Sequence, residues 1–557
     1  MRNKLIKTWL LAFAVLTALP SCGEEAHAEH NYEEYTVISE PNCNEKGVKI
    51  RRCKTCSYLD ISLEDALGHD YATSTIEPTC AQGGYDLHVC SRCHDSYKDN
   101  ETDATEHSFL DWVTIMKEEK TCHGLQYRQC ATCRELEFRY LHNYELTSVT
   151  TESTAEANQG VYTCSVCDES KTDTVTYASL GMPILSLNGS MDGISKENKI
   201  TIAYRYEGDN VYEGTATLKW QGGSSINYPK KNFNINFLKE NGKKDKLLIN
   251  EAWGKQSKYT LKANYVDYSA SRNVVSASIY GQVVKSRTME DEYATLVNGG
   301  AIDGFPILMF VNGSYQGLYT LNIPKDEWLF GMDEQTQKQA ILMGDNWSDA
   351  VKLKETITAD DYKGLALEYC STEDESWVVE SWNNFVNFLN NSTDEEFKEG
   401  IGNYTTIERA IDSHIFTTVI GGADNTAKNI LWTTYDGVKW CPSVYDMDGT
   451  WGLSWSGKDY YSSSSINLYN TANKLHSRLL SLYYSDYLDR YKELRKGPLS
   501  QENIEKQFSS FFAKIPSFIY ESESDKWPDV PSRDTNNFSQ IKTWAEGHLE
   551  YLDGLYA

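Results

Sequence analysis

Basic residues are in short supply: 53 Lys and Arg stand against 80 Asp and Glu, a formal net charge of -27. A protein that neutralises a phosphate backbone needs a surplus of cations to displace counterions, so nucleic acid is excluded as a partner. Proline is sparse as well, at 12 residues, whereas hydrophobic residues make up 40% and aromatic residues 12% of the chain. That balance excludes wholesale disorder, and 557 residues correspond to about two to four globular domains. Long apolar runs are missing after the first twenty residues, so nothing in the body of the chain is expected to span a bilayer as a helix. There is no H-E-x-x-H, no G-x-S-x-G and no Walker A, which removes those hydrolase and nucleotide-binding readings.

The start of the chain reads as an export signal. Met1-Arg2-Asn3-Lys4 is basic, Trp9 to Leu19 is apolar but too short for a permanent span, and Leu19-Pro20-Ser21-Cys22 ends the run in the manner of a bacterial lipobox. Residues 1–21 are thus expected to be removed, with Cys22 lipidated and the protein held at the cell surface through that membrane anchor, or secreted.

Of 14 cysteines, 11 fall between Cys43 and Cys167, and only Cys370 and Cys441 lie beyond. Residues 30–177 are a tandem array, with units opened by His30-Asn31-Tyr32, His69-Asp70-Tyr71, His107-Ser108-Phe109 and His142-Asn143-Tyr144. The first three units continue to a cysteine (Cys43, Cys80, Cys122), a glycine (Gly47, Gly84, Gly124) and a C-x-x-C pair; the fourth keeps Gly160 and Cys164-Ser165-Val166-Cys167. Three cysteines per unit cannot all pair internally. Adding the histidine of the next unit gives Cys43, Cys53, Cys56 and His69; Cys80, Cys90, Cys93 and His107; and Cys122, Cys130, Cys133 and His142. Each is a complete tetrahedral zinc set. Exported disulfide chemistry is the alternative for the same residues. Either cross-link would stabilise small modules of low apolar content, suited to a spacer or surface-binding stalk.

Residues 178–557 read as an α+β region. Strands are expected at Lys199 to Tyr206, Thr215 to Gln221, Asn232 to Leu238 and Lys258 to Tyr265, and a hairpin at Pro306 to Ile323 around Asn312-Gly313. Helices follow at Trp377 to Leu389, after the capping sequence Ser392-Thr393-Asp394-Glu395, at Thr406 to Ile420 and at His476 to Arg495. Strands first and helices second suggest two lobes.

Three places carry candidate chemistry. Gln221-Gly222-Gly223-Ser224-Ser225 followed by Pro229-Lys230-Lys231 joins free turn amides to paired lysines, which suits phosphate oxygens; a plain hairpin with solvated lysines is the alternative. Asp424 and Asn429 have the spacing of a kinase catalytic Asp and metal-binding Asn. Ile430 to Thr434, the Asp436-Gly437 turn and Val438 to Val444 then form a hairpin that returns Asp446 and Asp448 beside them. Capping and turn roles for these Asp and Asn residues are the alternative.

These passages, together with Leu261-Lys262-Ala263-Asn264-Tyr265-Val266-Asp267, Arg272-Asn273 and Val311-Asn312-Gly313-Ser314-Tyr315-Gln316-Gly317-Leu318-Tyr319, resemble the spore-coat protein H (CotH) kinase family over about residues 180–460. The resemblance implies an atypical, two-lobed protein-kinase-like fold that uses ATP with Mg or Mn to phosphorylate Ser or Thr of a surface or secreted, Ser/Thr-rich protein. By motif, Asp424 would be catalytic, Asn429, Asp446 and Asp448 would hold metal, and Lys230, Lys231, Ser224 and Ser225 would contact the nucleotide. Asp267 and Arg272 are either part of the site or a helix cap and an unrelated surface charge. The chain departs from the kinase pattern in having no G-x-G-x-x-G, no His-Arg before Asp424, and Gln221 where the family commonly has Arg. A non-catalytic pseudokinase adhesin and a glycan-active or glycan-binding surface protein are the competing classes.

Overall fold

The computed structural model describes residues 29–556 apart from 57, 117–123, 153–156, 333–337, 467–472 and 534–537. The proposed leader, Cys22 and Cys122 therefore lie outside the described residues. The chain divides into two compact units, Met1–His142 and Asn143–Ala557.

The first unit is a row of three-stranded antiparallel sheets, one per repeat. They comprise β1 (Thr36–Ser39), β2 (Gly47–Arg52) and β3 (Leu59–Glu64); β4 (Tyr71–Ile76), β5 (Tyr85–Cys90) and β6 (Ser96–Asp99); and β7 (Val113–Met116), β8 (Gly124–Gln129) and β9 (Leu136–Leu141). Such small sheets have almost no apolar core. Among the described residues of this unit the buried apolar side chains are Cys43, Cys53, Cys80, Cys90 and Cys130, while Ile38, Ile61, Leu63, Phe138 and Tyr140 are exposed. The repeated glycine has a steric reason: a Cβ on Gly47 would stand 2.6 Å from Pro41 Cδ, and one on Gly84 would stand 2.7 Å from Pro78 Cδ.

The second unit starts with the sheet of the fourth repeat, β10 (Tyr144–Val149), β11 (Gln159–Cys164) and β12 (Ser170–Thr174). The change in sequence composition falls near residue 178, but the compact division falls after His142. The difference has a packing cause, since Leu146, Val149, Tyr162 and Val175 join the large core and Val149 N–H donates to Ser522 Oγ at 3.5 Å.

A closed barrel follows in the order β13 (Ile184–Asn188), β14 (Ile200–Glu207), β15 (Val211–Gln221), β16 (Asn232–Leu238), β19 (Lys258–Lys262), β21 (Ser314–Asn322) and β20 (Gly304–Val311). Between β16 and β19 lies a short hairpin, β17 (Leu247–Asn250) and β18 (Gly254–Gln256). Alternate residues are buried along the barrel strands, Ile202, Tyr204 and Tyr206 on β14 and Phe233, Ile235 and Phe237 on β16, as period-two burial requires. Beyond the barrel lies a four-stranded sheet, β23 (Leu365–Cys370), β22 (Ala340–Gly344), β24 (Ile430–Thr434) and β25 (Cys441–Val444), with helices around it.

The α+β content expected from the sequence is present. The expected 476–495 helix is two helices, Lys474–Leu482 and Tyr484–Arg495, broken at Tyr483. The capping box sits one residue later than expected, with Thr393 as cap and Glu396 reaching back to its N–H at 2.8 Å. The helix Arg272–Lys285 had no periodic signal: it is buried on nearly every side, and a helix surrounded by protein has no polar face to mark it. Among the described residues no helix is long and apolar enough to cross a membrane.

Candidate active site

Register brings the acidic residues together. β24 and β25 pair with Ile430 opposite Val444, which sets Asn429 beside Tyr445, and Tyr445 N–H donates to Asn429 C=O at 3.1 Å. Asn429 Nδ2 then donates to Asp446 C=O at 3.3 Å and Asn425 Nδ2 to Tyr445 C=O at 2.7 Å. Asn429 and Asp446 both have positive φ, 59° and 52°, a conformation that Asn and Asp tolerate better than most side chains. Asp424 opens a single turn, Asp424–Thr426, between the helix Ile407–Val419 and this hairpin, and lies 3.5 Å from Lys428 Nζ.

The barrel supplies the opposing charge. Lys262, the last residue of β19, is 9% exposed and places Nζ 3.1 Å from Asp446 Oδ1. A small open pocket lies here, lined in part by Ser225, Lys230, Lys262, Asn273, Asp446 and Asp448. Burial raises the Asp446 carboxyl, but Lys262, followed by Lys428 and Lys325, outweighs it and holds the group below the usual carboxylate range. Asp448 behaves in the opposite way: burial pushes it well above that range, and the charges of Asp446, Asp267 and Asp424 add to the rise against the pull of Lys262.

The acids are partly exposed, and the crowding of like charge around Asp448 is a fit for a cation. The donor types, three carboxylates and the Asn429 amide oxygen, are the hard oxygen ligands that Mg²⁺ and Mn²⁺ prefer. The acidic loop is fixed from behind. Asn273 Oδ1 accepts the Met447 N–H at 3.1 Å, and Arg272 Nε donates to Thr450 C=O at 3.0 Å. Asp267 accepts the Arg272 N–H at 2.8 Å and its Nη1 at 2.5 Å. Asp267 and Arg272 are 1% and 0% exposed, so the surface-charge alternative for Arg272 does not hold. They form a buried pair that caps the helix and supports the site.

A family model described as CotH kinase protein matches residues 218–552. The chain belongs to that family. No curated protein matches it. In this CotH member Asp424, Asn429, Asp446 and Asp448 lie near one another, and the two lysines expected at the nucleotide both have partners within the protein. Lys230 is 3% exposed and its ammonium is held by Glu523 Oε1 and by Leu318 C=O at 2.6 Å. Burial lowers the Lys230 pKa, offset in part by Glu523. Lys231 Nζ caps Ile226 C=O at 2.8 Å and Tyr228 C=O at 2.5 Å. The turn Ser224–Asn227 turns its carbonyls toward Lys231, whereas Lys230, which also lines the pocket, is held by Glu523 and by β21. Ser225 lines the pocket, with Oγ accepting from Asn232 Nδ2 at 3.2 Å, and Ser224 is exposed on the same turn.

Sequence reasoning quoted Lys262 and Asn273 within matching passages but gave them no role, and it did not single out Lys325. A signal for the first was present, a lysine inside the apolar run Tyr259-Thr260-Leu261-Lys262-Ala263, since a charge is retained in such a strand only with a partner.

The cysteine-histidine sets also need correction. The ligand atoms that converge within 4.8 Å of one another are Cys43, His69, Cys90 and Cys93, and Cys80, His107, Cys130 and Cys133; His30, Cys53 and Cys56 form a set of three. Cys53 and Cys56 thus do not share a set with Cys43, nor His142 with Cys130 and Cys133. The cause is the fold of each unit: its histidine precedes the first strand and its C-x-x-C follows the second, so antiparallel pairing brings them together. Cys43 and Cys80 sit on the loop at the other end of the sheet of their own unit. These groups are able to hold a metal ion.

Proposed function

We propose that the second unit is a two-lobed, protein-kinase-like phosphotransferase that moves the γ-phosphoryl group of ATP to a Ser or Thr hydroxyl of a surface or secreted protein. The carrying observation is that Lys262, Asp446 and Asp448 line one pocket, with Asn429 bonded to the Asp446 carbonyl and Asp424 close enough for its charge to act on Asp448. Asp424 takes the acceptor proton as the hydroxyl oxygen forms its bond to the γ-phosphorus. The bond from phosphorus to the β–γ bridging oxygen breaks, and ADP leaves. Asn429, Asp446 and Asp448 would hold Mg²⁺ or Mn²⁺, which neutralises phosphate charge when bound. Lys262, with Lys325 and Lys428 nearby, places positive charge where phosphate oxygens need it, and the buried Asp267–Arg272 pair keeps the acidic loop in place.

We place the protein outside the cytoplasm, anchored by lipid on Cys22, with the Cys/His array between anchor and enzyme. Thermal stabilisation by ATP with Mg²⁺ or Mn²⁺ and transfer of labelled phosphate to the protein itself or to a Ser-rich partner test this reading. Asp424→Ala should abolish labelling and leave the folded state intact. No thermal shift at millimolar ATP with either metal would overturn the reading in favour of a non-catalytic adhesin, whose ligand binding would survive Asp424→Ala.

A further inference from the structure

We propose that the N-terminal unit is a zinc-dependent array in which each metal joins two consecutive repeats, the first cysteine of one repeat completing the site of the next. In the first such site Cys43, on the loop between β1 and β2, meets Cys90 and Cys93 at the turn after β5 and His69 just before β4. Cys80, Cys130, Cys133 and His107 repeat the arrangement one unit on.

The spacings are those of ligands around one ion. Cys43 Sγ to Cys90 Sγ is 3.7 Å and Cys80 Sγ to Cys130 Sγ is 3.6 Å. Cys93 Sγ to His69 Nδ1 and Cys133 Sγ to His107 Nδ1 are both 3.3 Å. Tetrahedral zinc, with bonds of about 2.3 Å to sulfur and about 2.0 Å to nitrogen, separates its ligands by roughly 3.5–3.8 Å. The six thiols are free, and three sulfurs with one imidazole make a closed site of the kind zinc prefers. The second shell agrees. His69 Nε2 lies 2.8 Å from Asn44 Oδ1 and His107 Nε2 lies 3.1 Å from Glu135 Oε2, which turns each Nδ1 toward the sulfurs. The turns match too, as His94 and Arg134, the residues after each C-x-x-C, have φ of 61° and 65° and donate N–H to Cys90 C=O and Cys130 C=O.

The energetic reason is the missing core. The buried apolar side chains described in this unit are cysteines, so hydrophobic burial contributes little and metal binding supplies the folding free energy. A metal shared between repeats also fixes the angle between neighbouring sheets, which repeat-internal sites would leave free.

The test uses the full chain. Metal analysis of the purified protein should find at least two zinc ions per chain, and cobalt substitution should give the thiolate charge-transfer bands of tetrahedral sites. Register is read by alkylation and mass spectrometry: Cys43→Ser should make Cys90 and Cys93 reactive and leave Cys53 and Cys56 protected. Loss of protection at Cys53 and Cys56 instead would overturn the inter-repeat assignment. If Cys43→Ser unfolds the unit, His69→Cys, which keeps four ligands, should retain the metal and the protection of Cys43. Absence of zinc with Cys43 and Cys90 joined as a disulfide would overturn the proposal outright.

Discussion

Lys262 Nζ stands 3.1 Å from Asp446 Oδ1, joining the end of a barrel strand to the loop that follows β25. Asp446, Tyr445 and Asp448 together hold Lys262 in its charged form against the cost of burial. The pair sets the charge of the pocket, because without the ammonium two neighbouring carboxylates would face each other with less to offset them.

Lys262→Met is expected to lower the rate of phosphate transfer by about 10²- to 10³-fold, the usual effect of removing one preorganised charge at a reacting phosphate. Arginine at the same position should recover part of the loss. Labelling assays at fixed Mg²⁺ check this, and a loss below tenfold would remove Lys262 from the site.

Asp448 gives a stability prediction that opposes its functional one. A carboxyl held above its unfolded value stabilises the folded protein at low pH, and that contribution is lost as pH rises through the folded value. Asp448→Asn should therefore melt at a higher temperature than the parent in metal-free buffer. The gap should be widest at alkaline pH and close at acid pH. The same variant should lose metal-dependent ATP binding. Melting curves across pH without divalent ions read the effect, and an unchanged or lower melting temperature at alkaline pH would contradict the account.

Lys230 should behave as a structural residue. Lys230→Ala leaves Glu523 buried without its cation, a change expected to cost about 3–5 kcal/mol in unfolding free energy. Lys230→Met with Glu523→Gln should recover much of it. Denaturant titration with parallel ATP binding separates the roles: weakened binding at unchanged stability would return Lys230 to the nucleotide.

Asn273 positions the acidic loop through the Met447 N–H. Asn273→Ala is expected to cost about 1 kcal/mol of stability and to raise the metal concentration needed for half-maximal labelling. Asn273→Asp, which keeps the acceptor, should leave the loop in place. Equal damage from both changes would mean that the contact is not what matters.

Much of the site was legible because it is local. Asp424 and Asn429 lie five residues apart, and the Asp436-Gly437 turn announces the hairpin that returns Asp446. Lys230 and Lys231 show the limit of such reading. Paired lysines after a glycine-serine turn look like a phosphate cradle, yet Glu523, 293 residues away, takes one of them. The cysteine array shows the same limit, since spacing alone gave four ligands per set but joined the wrong C-x-x-C to Cys43 and to Cys80.

The scarcity of basic residues, the crowding of cysteines into one stretch and the order of the acidic motifs belong to the sequence itself, because composition and local spacing do not depend on how the chain is packed. The tertiary structure decided which charges meet. Lys262 reaches Asp446 across 184 residues, and Cys43 reaches Cys90 across 47. Such partners are chosen by strand register and barrel closure, which depend on the burial of the whole core and leave no mark in the spacing of the residues they unite.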